Sequence, residues 1–401
     1  ASVRYIQDEG VAPQGGAAVG GGGITEKNPI ASLYYALPYQ SPTDSARPGN
    51  FGSNALDVYR NSLRKDNQIK AVVSLNEDFR LSSDLHLIST VGIDYQQSNF
   101  TNYLNPDSYY GAQEPNGNRG SYQRSLATRL GLIVNGGLRY NKKWGDHELE
   151  ANLLAEMNRI KGEGFGFTGY GLNSLLLNTP AGVSQGTADN NFIPAISGQT
   201  TPDNLLLSQI AIARYSYSNK YTLSASLRRD GSSQVPALNR YKHFYAVGGS
   251  WNVLSESFAE RLRTHFSYLR LRASYGLTGN AGGFASDYGY RELYAPANYA
   301  GQSAYELQTP GNPAYNWEMN RIADVAVEAG FFKNRLRTEL DFYNRITDGL
   351  FVNRNLSLTT GFATISSNEG KIRNRGVELM IEGDIIKQKD WKVTAGLNLA
   401  Y

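Results

Sequence analysis

Residues 391–401 read Trp391-Lys-Val-Thr-Ala-Gly-Leu-Asn-Leu-Ala-Tyr401. In an extended strand, Trp391, Val393, Ala395, Leu397, Leu399 and Tyr401 share one face, and Lys392, Thr394, Gly396, Asn398 and Ala400 share the other. The apolar face carries an aromatic at each end. At about 3.3 Å per residue and a tilt of about 45°, the run climbs roughly 23 Å. The outward apolar band of a transmembrane barrel is about 25 Å tall, with aromatic girdles at both rims. The stretch therefore predicts one stave of such a barrel.

The pattern recurs along the chain. Leu85, Leu87, Val91, Ile93 and Tyr95 oppose His86, Thr90, Asp94 and Gln96. Tyr221, Leu223, Ala225 and Leu227 oppose Thr222, Ser224, Ser226 and Arg228. Leu269, Leu271, Ala273, Tyr275 and Leu277 oppose Arg270, Arg272, Ser274 and Gly276. Similar alternation predicts about twelve strands, near 68–80, 84–97, 124–143, 147–160, 206–218, 221–229, 243–252, 267–277, 322–331, 336–347, 371–384 and 391–401. Most run nine or more residues, against about five or six for soluble strands. Length and one-sided charge argue against a soluble β-sandwich or repetitive adhesin. Leu223, Leu271, Val325, Leu379 and Leu397 are expected to face lipid. Arg228, Arg272, Asp324, Glu339 and Glu378 are expected to face the lumen, because a bare charge in hydrocarbon is costly.

Connections alternate in length. Short ones fall at 80–84, 143–147, 218–221, 331–336 and 384–391; long ones fall at 97–124, 160–206, 229–243, 277–322 and 347–371. The 252–267 link takes a short-turn place, and Ser255 to Glu260 could form one capped helical turn. Short periplasmic turns and long outer loops are the habit of an up-and-down membrane barrel. Residues 10–67, with Gly20 to Gly23 and several prolines, then form a long outer loop. The expected fold is all-β, a transmembrane antiparallel up-and-down β-barrel over residues 1–401.

Composition agrees. Mean hydropathy is −0.44, and no stretch approaches the roughly 18 apolar residues of a spanning helix. The net charge of +3 among 401 residues does not suggest nucleic acid. The chain has no cysteine, which rules out thiol chemistry and fits an oxidising compartment. The chain enters at Ala1-Ser-Val-Arg-Tyr5 and leaves at Tyr401 as if in mid-strand. It is therefore expected to be an internal piece of a longer protein, truncated at both ends.

No catalytic constellation stands out. His86, His147, His243 and His265 have no metal-ligand partner at a helical or hairpin spacing. No Gly-x-Ser-x-Gly elbow occurs, and Gly20 to Gly23 lacks the Lys-Ser/Thr of a phosphate loop. Glu339 with Asp341, and Glu378 with Glu382, could suggest a glycosidase pair, but lumen charges facing a plug are the plainer account. No enzyme activity, cofactor or metal is expected.

Longer segments are distinctive in series. Tyr221-Thr-Leu-Ser-Ala-Ser-Leu-Arg-Arg-Asp-Gly-Ser-Ser233 is followed by Trp251-Asn-Val-Leu-Ser-Glu-Ser-Phe258 and Leu269-Arg-Leu-Arg-Ala-Ser-Tyr-Gly-Leu-Thr-Gly-Asn280. Then come Asn312-Pro-Ala-Tyr-Asn-Trp-Glu318, Gly330-Phe-Phe-Lys-Asn-Arg-Leu336, Asp341-Phe-Tyr343 and Asn368-Glu-Gly-Lys-Ile-Arg-Asn-Arg-Gly-Val-Glu-Leu379. This order and spacing closely resembles the barrel of SusC/RagA-type TonB-dependent transporters from the outer membrane of Bacteroidota. The resemblance is strongest over 221–401 and looser back to about residue 28. It implies a barrel of roughly 22 strands, a plug domain absent from this chain, and TonB coupling. It also implies a SusD-like surface lipoprotein that captures glycan or peptide. The implied function is active import of a large nutrient, oligosaccharide or peptide. The alternatives are siderophore or cobalamin uptake, or a structural or adhesive outer-membrane barrel without transport. Substrate or lipoprotein contacts would come from loop aromatics: Tyr103, Tyr109 and Tyr110 in one loop, and Tyr288, Tyr290, Tyr294, Tyr299, Tyr305 and Trp317 in another.

Overall fold

The computed structural model of the chain describes residues 2–10, 41, 55–113, 119–176, 178–184, 195–199, 203–282, 288–388 and 390–401. Its strands are β1 (Ser2–Gly10), β2 (Ser62–Arg80), β3 (Leu85–Leu104), β4 (Ser121–Trp144), β5 (His147–Tyr170), β6 (Ala195–Gln199), β7 (Asp203–Tyr217) and β8 (Tyr221–Ser232). They continue as β9 (Tyr241–Asn252), β10 (Phe266–Asn280), β11 (Leu293–Tyr299), β12 (Gln302–Thr309), β13 (Glu318–Phe331), β14 (Leu336–Asn355), β15 (Thr364–Lys387) and β16 (Lys392–Ala400). Among the described residues a short helix, α1 (Ala55–Asn61), precedes β2. No described helix is long and apolar enough to cross a membrane.

Neighbouring strands in the main sheet follow one another as β1-β2-β3-β4-β5-β7-β8-β9-β10-β13-β14-β15-β16, with β6 added to β5 and β11–β12 a separate hairpin. Every sequence-predicted strand has its counterpart. The differences lie mostly at the long-loop ends, where β5 continues to Tyr170 and β14 to Asn355. Those extensions carry no sustained apolar/polar alternation, being glycine-rich around Phe165 and Phe167 in β5 and apolar on successive residues at Leu350, Phe351 and Val352 in β14, yet backbone pairing carries the ladder on.

The same holds for the predicted 10–67 loop. β1 reaches Gly10, α1 occupies 55–61, and β2 begins at Ser62, pairing Arg64 with Gly10 and Asp66 with Asp8. Residues 11–40 and 42–54, with the Gly20 to Gly23 run, lie outside the described residues. At 253–264 the predicted helical turn is two 3-10 segments, Val253–Ser255 and Ser257–Thr264.

Register fixes the two faces of the sheet, because directly paired residues point the same way. Leu223 pairs with Gly249, Gly249 with Ala273, Ala273 with Val325, and Val325 with Phe342. Leu340 pairs with Leu379, and Ile381 with Leu397. All five residues expected to face lipid thus share one face. On the other face Arg272 pairs with Ser250 and Ala326, Ser274 with Asp324, Glu328 with Glu339, and Asp341 with Glu378. A one-residue slip would exchange these sets, so the apolar/charged division pins the register from β8 to β16.

The chain divides into two compact units, one of residues 1–74, 92–131 and 160–203, the other of 75–91, 132–159 and 204–401. The first holds a small core of Tyr103, Tyr122 and Leu172, flanked by Leu63, Phe167 and Val183. The second holds a larger core of Val235, Phe244, Ala281, Tyr315, Trp317 and Phe351. Both cores sit at the long-loop ends of their strands. The apolar face of the strands is left exposed, with Leu223, Leu271, Val325 and Leu397 all uncovered.

Candidate functional site

The second core is built by strand ends and loops together. Phe244 and Phe351 come from β9 and β14; Val235, Ala281, Tyr315 and Trp317 come from the loops. Trp317 meets Phe244 edge-on with centroids 5.4 Å apart, and Tyr315 stacks on Phe351 at 5.2 Å. The Trp317 indole N–H donates to the Asn239 carbonyl (3.0 Å), and the Asn239 amide donates to the Tyr315 carbonyl (3.0 Å). The Asn312 amide donates to the Ser366 carbonyl (2.7 Å). The Asn368 side chain accepts from the Asn316 N–H (2.8 Å) and donates to the carbonyls of Asn316 (2.8 Å) and Gly349 (3.0 Å).

Gly349 stands outside the β14–β15 ladder, between Asp348 and Leu350, with φ of +67°. A side chain there would be strained, and the bulge turns its carbonyl to Asn368. The conspicuous segments Asn312–Glu318 and Asn368–Gly370 are therefore a latch. They fasten the 312–317 end of the loop onto β14 and β15 through partly buried backbone polar groups that take these side chains as partners.

On this base stands the β11–β12 hairpin. Its two-residue turn, Ala300-Gly301, has positive φ at both positions (51° and 80°), the type I′ geometry that matches strand twist. Pro296 pairs with Tyr305, and Tyr294 with Leu307, so these four share one face. Tyr294, Tyr299 and Tyr305 are 59%, 79% and 81% exposed. The Tyr294 hydroxyl donates to Glu292 (3.1 Å), and this carboxylate holds the phenol above its ordinary range. The phenol therefore stays a protonated donor throughout the physiological pH range. Tyr290 packs on the core, its hydroxyl donating to the Ser233 carbonyl (3.4 Å). The Arg291 guanidinium lies over both Tyr288 (5.0 Å) and Tyr290 (5.4 Å).

In the first unit, Tyr109 and Tyr110 meet edge-on at 5.1 Å. The Tyr109 N–H donates to the Asp57 carboxylate (3.0 Å), which also accepts from the Asn61 amide (2.7 Å). Burial pushes the Asp57 carboxyl up, and these two donors partly offset it.

The nine aromatic candidates thus divide. Tyr294, Tyr299 and Tyr305 are presented outward, and Tyr109, Tyr110, Tyr288 and Tyr290 are half-buried. Tyr103 and Trp317 are each 4% exposed and pack their own cores. No local signal in the sequence marked the burial of Trp317, whose indole partner Asn239 lies far away in the chain. Asn239 and Asn368 gave no such signal, because their partners are backbone carbonyls distant in sequence.

The charged face carries a linked set of ions. Arg270 pairs with Glu328 (2.7 Å); Arg272 reaches Glu328 (3.2 Å), Asp341 (2.8 Å) and Glu339. Beside it lies a cavity of about 170 Å³ lined by Thr222, Ser224, Ser250, Ser274, Arg272 and Asp324. Each guanidinium here is more than a third exposed, so each pair contributes only about 0–1 kcal/mol. Their effect is to make a hydrophilic wall. Among the described residues no three His, Asp or Glu are placed to hold a metal.

Comparison with known proteins fits these features. The curated relatives include SusC of Bacteroides thetaiotaomicron, a TonB-dependent receptor, 26% identical over 354 residues, covering 85% of this chain and 33% of that protein. TonB-dependent receptor P39 of Formosa agariphila is 32% identical over 206 residues, 51% of this chain and 20% of that protein. The chain thus spans about a third or less of these relatives. A solved structure of the RagAB peptide transporter superposes with a TM-score of 0.79 at 24% identity, covering 88% of this chain and 38% of the other. The profile of the family described as TonB dependent receptor-like, beta-barrel, matches residues 15–401, and this chain, a membrane-barrel wall and not an enzyme, belongs to that family.

Proposed function

We propose that this chain forms part of the barrel wall of an outer-membrane importer that takes up a large nutrient, oligosaccharide or peptide, in a bacterium of the Bacteroidota. Its energy comes from TonB, and a SusD-like surface lipoprotein works with it. Similarity to SusC over most of the chain supports this reading. The observation that carries it is the latched loop. A core of six buried residues, Tyr315 and Trp317 among them, anchors the 288–317 segment, while the hairpin in it exposes Tyr294, Pro296 and Tyr305 on one face. Tyrosine offers large, rigid contact area with a polar tip, which suits sugar rings and peptide side chains alike. Tyr109, Tyr110, Tyr288, Tyr290 and Tyr299 extend this aromatic supply.

The long loops are then extracellular and the short turns periplasmic. Growth of a deletion strain on a panel of glycans and peptides identifies the nutrient class by the one medium on which growth fails. Failure only under iron or cobalamin limitation would replace this reading with metal-complex uptake, and unimpaired growth throughout would leave a structural barrel. In the complemented strain, removing residues 293–309 is expected to abolish both uptake and co-purification of the lipoprotein while the barrel still assembles. Unchanged uptake and co-purification would remove the hairpin from the docking surface. Epitope tags at 110 and 300 should be labelled on intact cells, and tags at 145 and 333 should not.

A further inference from the structure

The β11–β12 hairpin is a two-stranded ribbon separate from the main sheet, and its two edges differ. A two-residue type I′ turn makes the flanking residues, Tyr299 and Gln302, a hydrogen-bonded pair. Such pairs then alternate with non-hydrogen-bonded ones along the ladder. Asn298–Ser303, Pro296–Tyr305 and Tyr294–Leu307 are therefore the non-hydrogen-bonded pairs. Their backbone groups point away from the partner strand, out along the two edges. On the β11 edge Pro296 has no N–H to offer, which blocks that edge at its centre. On the β12 edge Ser303, Tyr305 and Leu307 each present an N–H and a C=O. Among the described residues no further strand pairs with β12, and these three make no backbone hydrogen bond outside the hairpin. Pairing is regular from Gln302 to Leu307, the irregularity falling at Gln308.

The outward groups of β12 recur every second residue, about 7 Å. An extended polypeptide carries matching donors and acceptors at the same interval. A glycan, with no amide backbone, cannot continue the ladder. We propose that the β12 edge binds an extended peptide as an antiparallel third strand, which makes peptide, not oligosaccharide, the nutrient class. This rests on the hairpin being the docking surface proposed above. Directly paired residues share a face. Peptide residues opposite Tyr305 and Leu307 then join the face of Tyr294 and Pro296, which suits apolar or β-branched side chains. Glu306 is exposed and accepts from the Gln308 amide (3.2 Å). A peptide Lys or Arg opposite it would lie in a non-hydrogen-bonded pair, where side chains come closest. The favoured peptide therefore alternates apolar and basic residues.

The test uses the full-length protein in neutral detergent and a fluorescein-labelled, C-terminally amidated peptide, Val-Lys-Val-Lys-Val, with binding followed by anisotropy. The peptide sets valines opposite Ser303, Tyr305 and Leu307, and lysines opposite Ala304 and Glu306. Saturable binding is expected. N-methylation of the central valine, whose N–H meets the Tyr305 carbonyl, should weaken it at least about fivefold, the effect of one lost hydrogen bond. N-methylation of either lysine, whose N–H points to solvent, should leave it unchanged. Ser303→Pro, which repeats on β12 what Pro296 does on β11, should weaken binding to the same degree as the valine methyl. Glu306→Gln should weaken it about two- to fivefold, with the larger effect at low salt. Absence of saturable binding, equal effects of methylation at valine and lysine, or an unaltered affinity in Ser303→Pro overturns the proposal. So does loss of lipoprotein co-purification in Ser303→Pro when the wild type binds no peptide, which would give the edge to a strand of the lipoprotein. The methyl scan needs neither a variant nor transport, so it fails separately from the uptake reading. If removing 293–309 abolishes uptake but the scan shows no alternation, the hairpin remains a docking surface and the third strand is refuted.

Discussion

Trp317→Ala is expected to destabilise the full-length barrel by about 3–5 kcal/mol, the usual cost of removing a buried tryptophan from a packed core. The indole is 4% exposed, contacts Phe244, and donates to the Asn239 carbonyl. Asn239 in turn holds the Tyr315 backbone, so the loss propagates to both sides of the latch. Trp317→Phe keeps much of the ring volume and loses one hydrogen bond, which should cost about 1 kcal/mol. Asn368→Ala leaves the Asn316 N–H and the Asn316 and Gly349 carbonyls without their partner, for roughly 1–3 kcal/mol. Urea titration of the folded barrel, read as the fraction migrating in the compact form on a gel, measures all three. Limited proteolysis should show new cleavage within 288–317 in Trp317→Ala while the short turns stay protected. A change below about 0.5 kcal/mol in Trp317→Ala, the range of ordinary surface substitutions, would mean that this core does not hold the loop.

The latch shows where sequence reading succeeds and where it stops. Strand phase was legible because lipid on one side and water on the other impose a period of two over ten or more residues. Leu271 against Arg272, or Leu379 against Glu378, could only be placed one way. The extensions of β5 and β14 were not legible, since glycines dilute the β5 pattern and Leu350-Phe351-Val352 in β14 is apolar on both faces, so no period of two appears. β2 shows the same limit: Arg64 to Asn67 has no apolar face, and pairing with the neighbouring strands β1 and β3 makes it a strand. The β11–β12 hairpin escaped because its turn is Ala300-Gly301, not the Asn-Gly or Asp-Gly that usually announces type I′ geometry. For the aromatic site, residue type alone could not separate Trp317, buried in its own core, from Tyr305, which stands free. That distinction depends on Asn239, Asn312 and Asn368 reaching backbone groups more than fifty residues away, which no local pattern encodes.

Arginine at Val325 should be nearly as damaging as the loss of Trp317, for a different reason. Val325 is flanked by Ala273 on β10 and Phe342 on β14, so it belongs to the apolar face and has no acid beside it. A guanidinium placed there must stay in hydrocarbon or distort the strand to reach a headgroup. Near the bilayer midplane this costs about 2–4 kcal/mol. The matching substitution one pair away on the opposite face, Ser274→Arg, puts the same side chain directly across from Asp324, in a wall that already carries Arg272. It should change stability by no more than about 0.5 kcal/mol. Both variants carry identical new charge, so net charge, expression load and side-chain entropy cancel in the comparison. The difference reports the identity of the two faces. Equal stability of the two variants in lipid vesicles, or a greater loss for Ser274→Arg, would show that the charged face meets lipid. The ion set around Arg272 would then need a role other than lining a lumen. A difference that shrinks when vesicles are exchanged for a thin, short-chain bilayer would fit the expected mechanism, because the guanidinium then has less distance to travel to water.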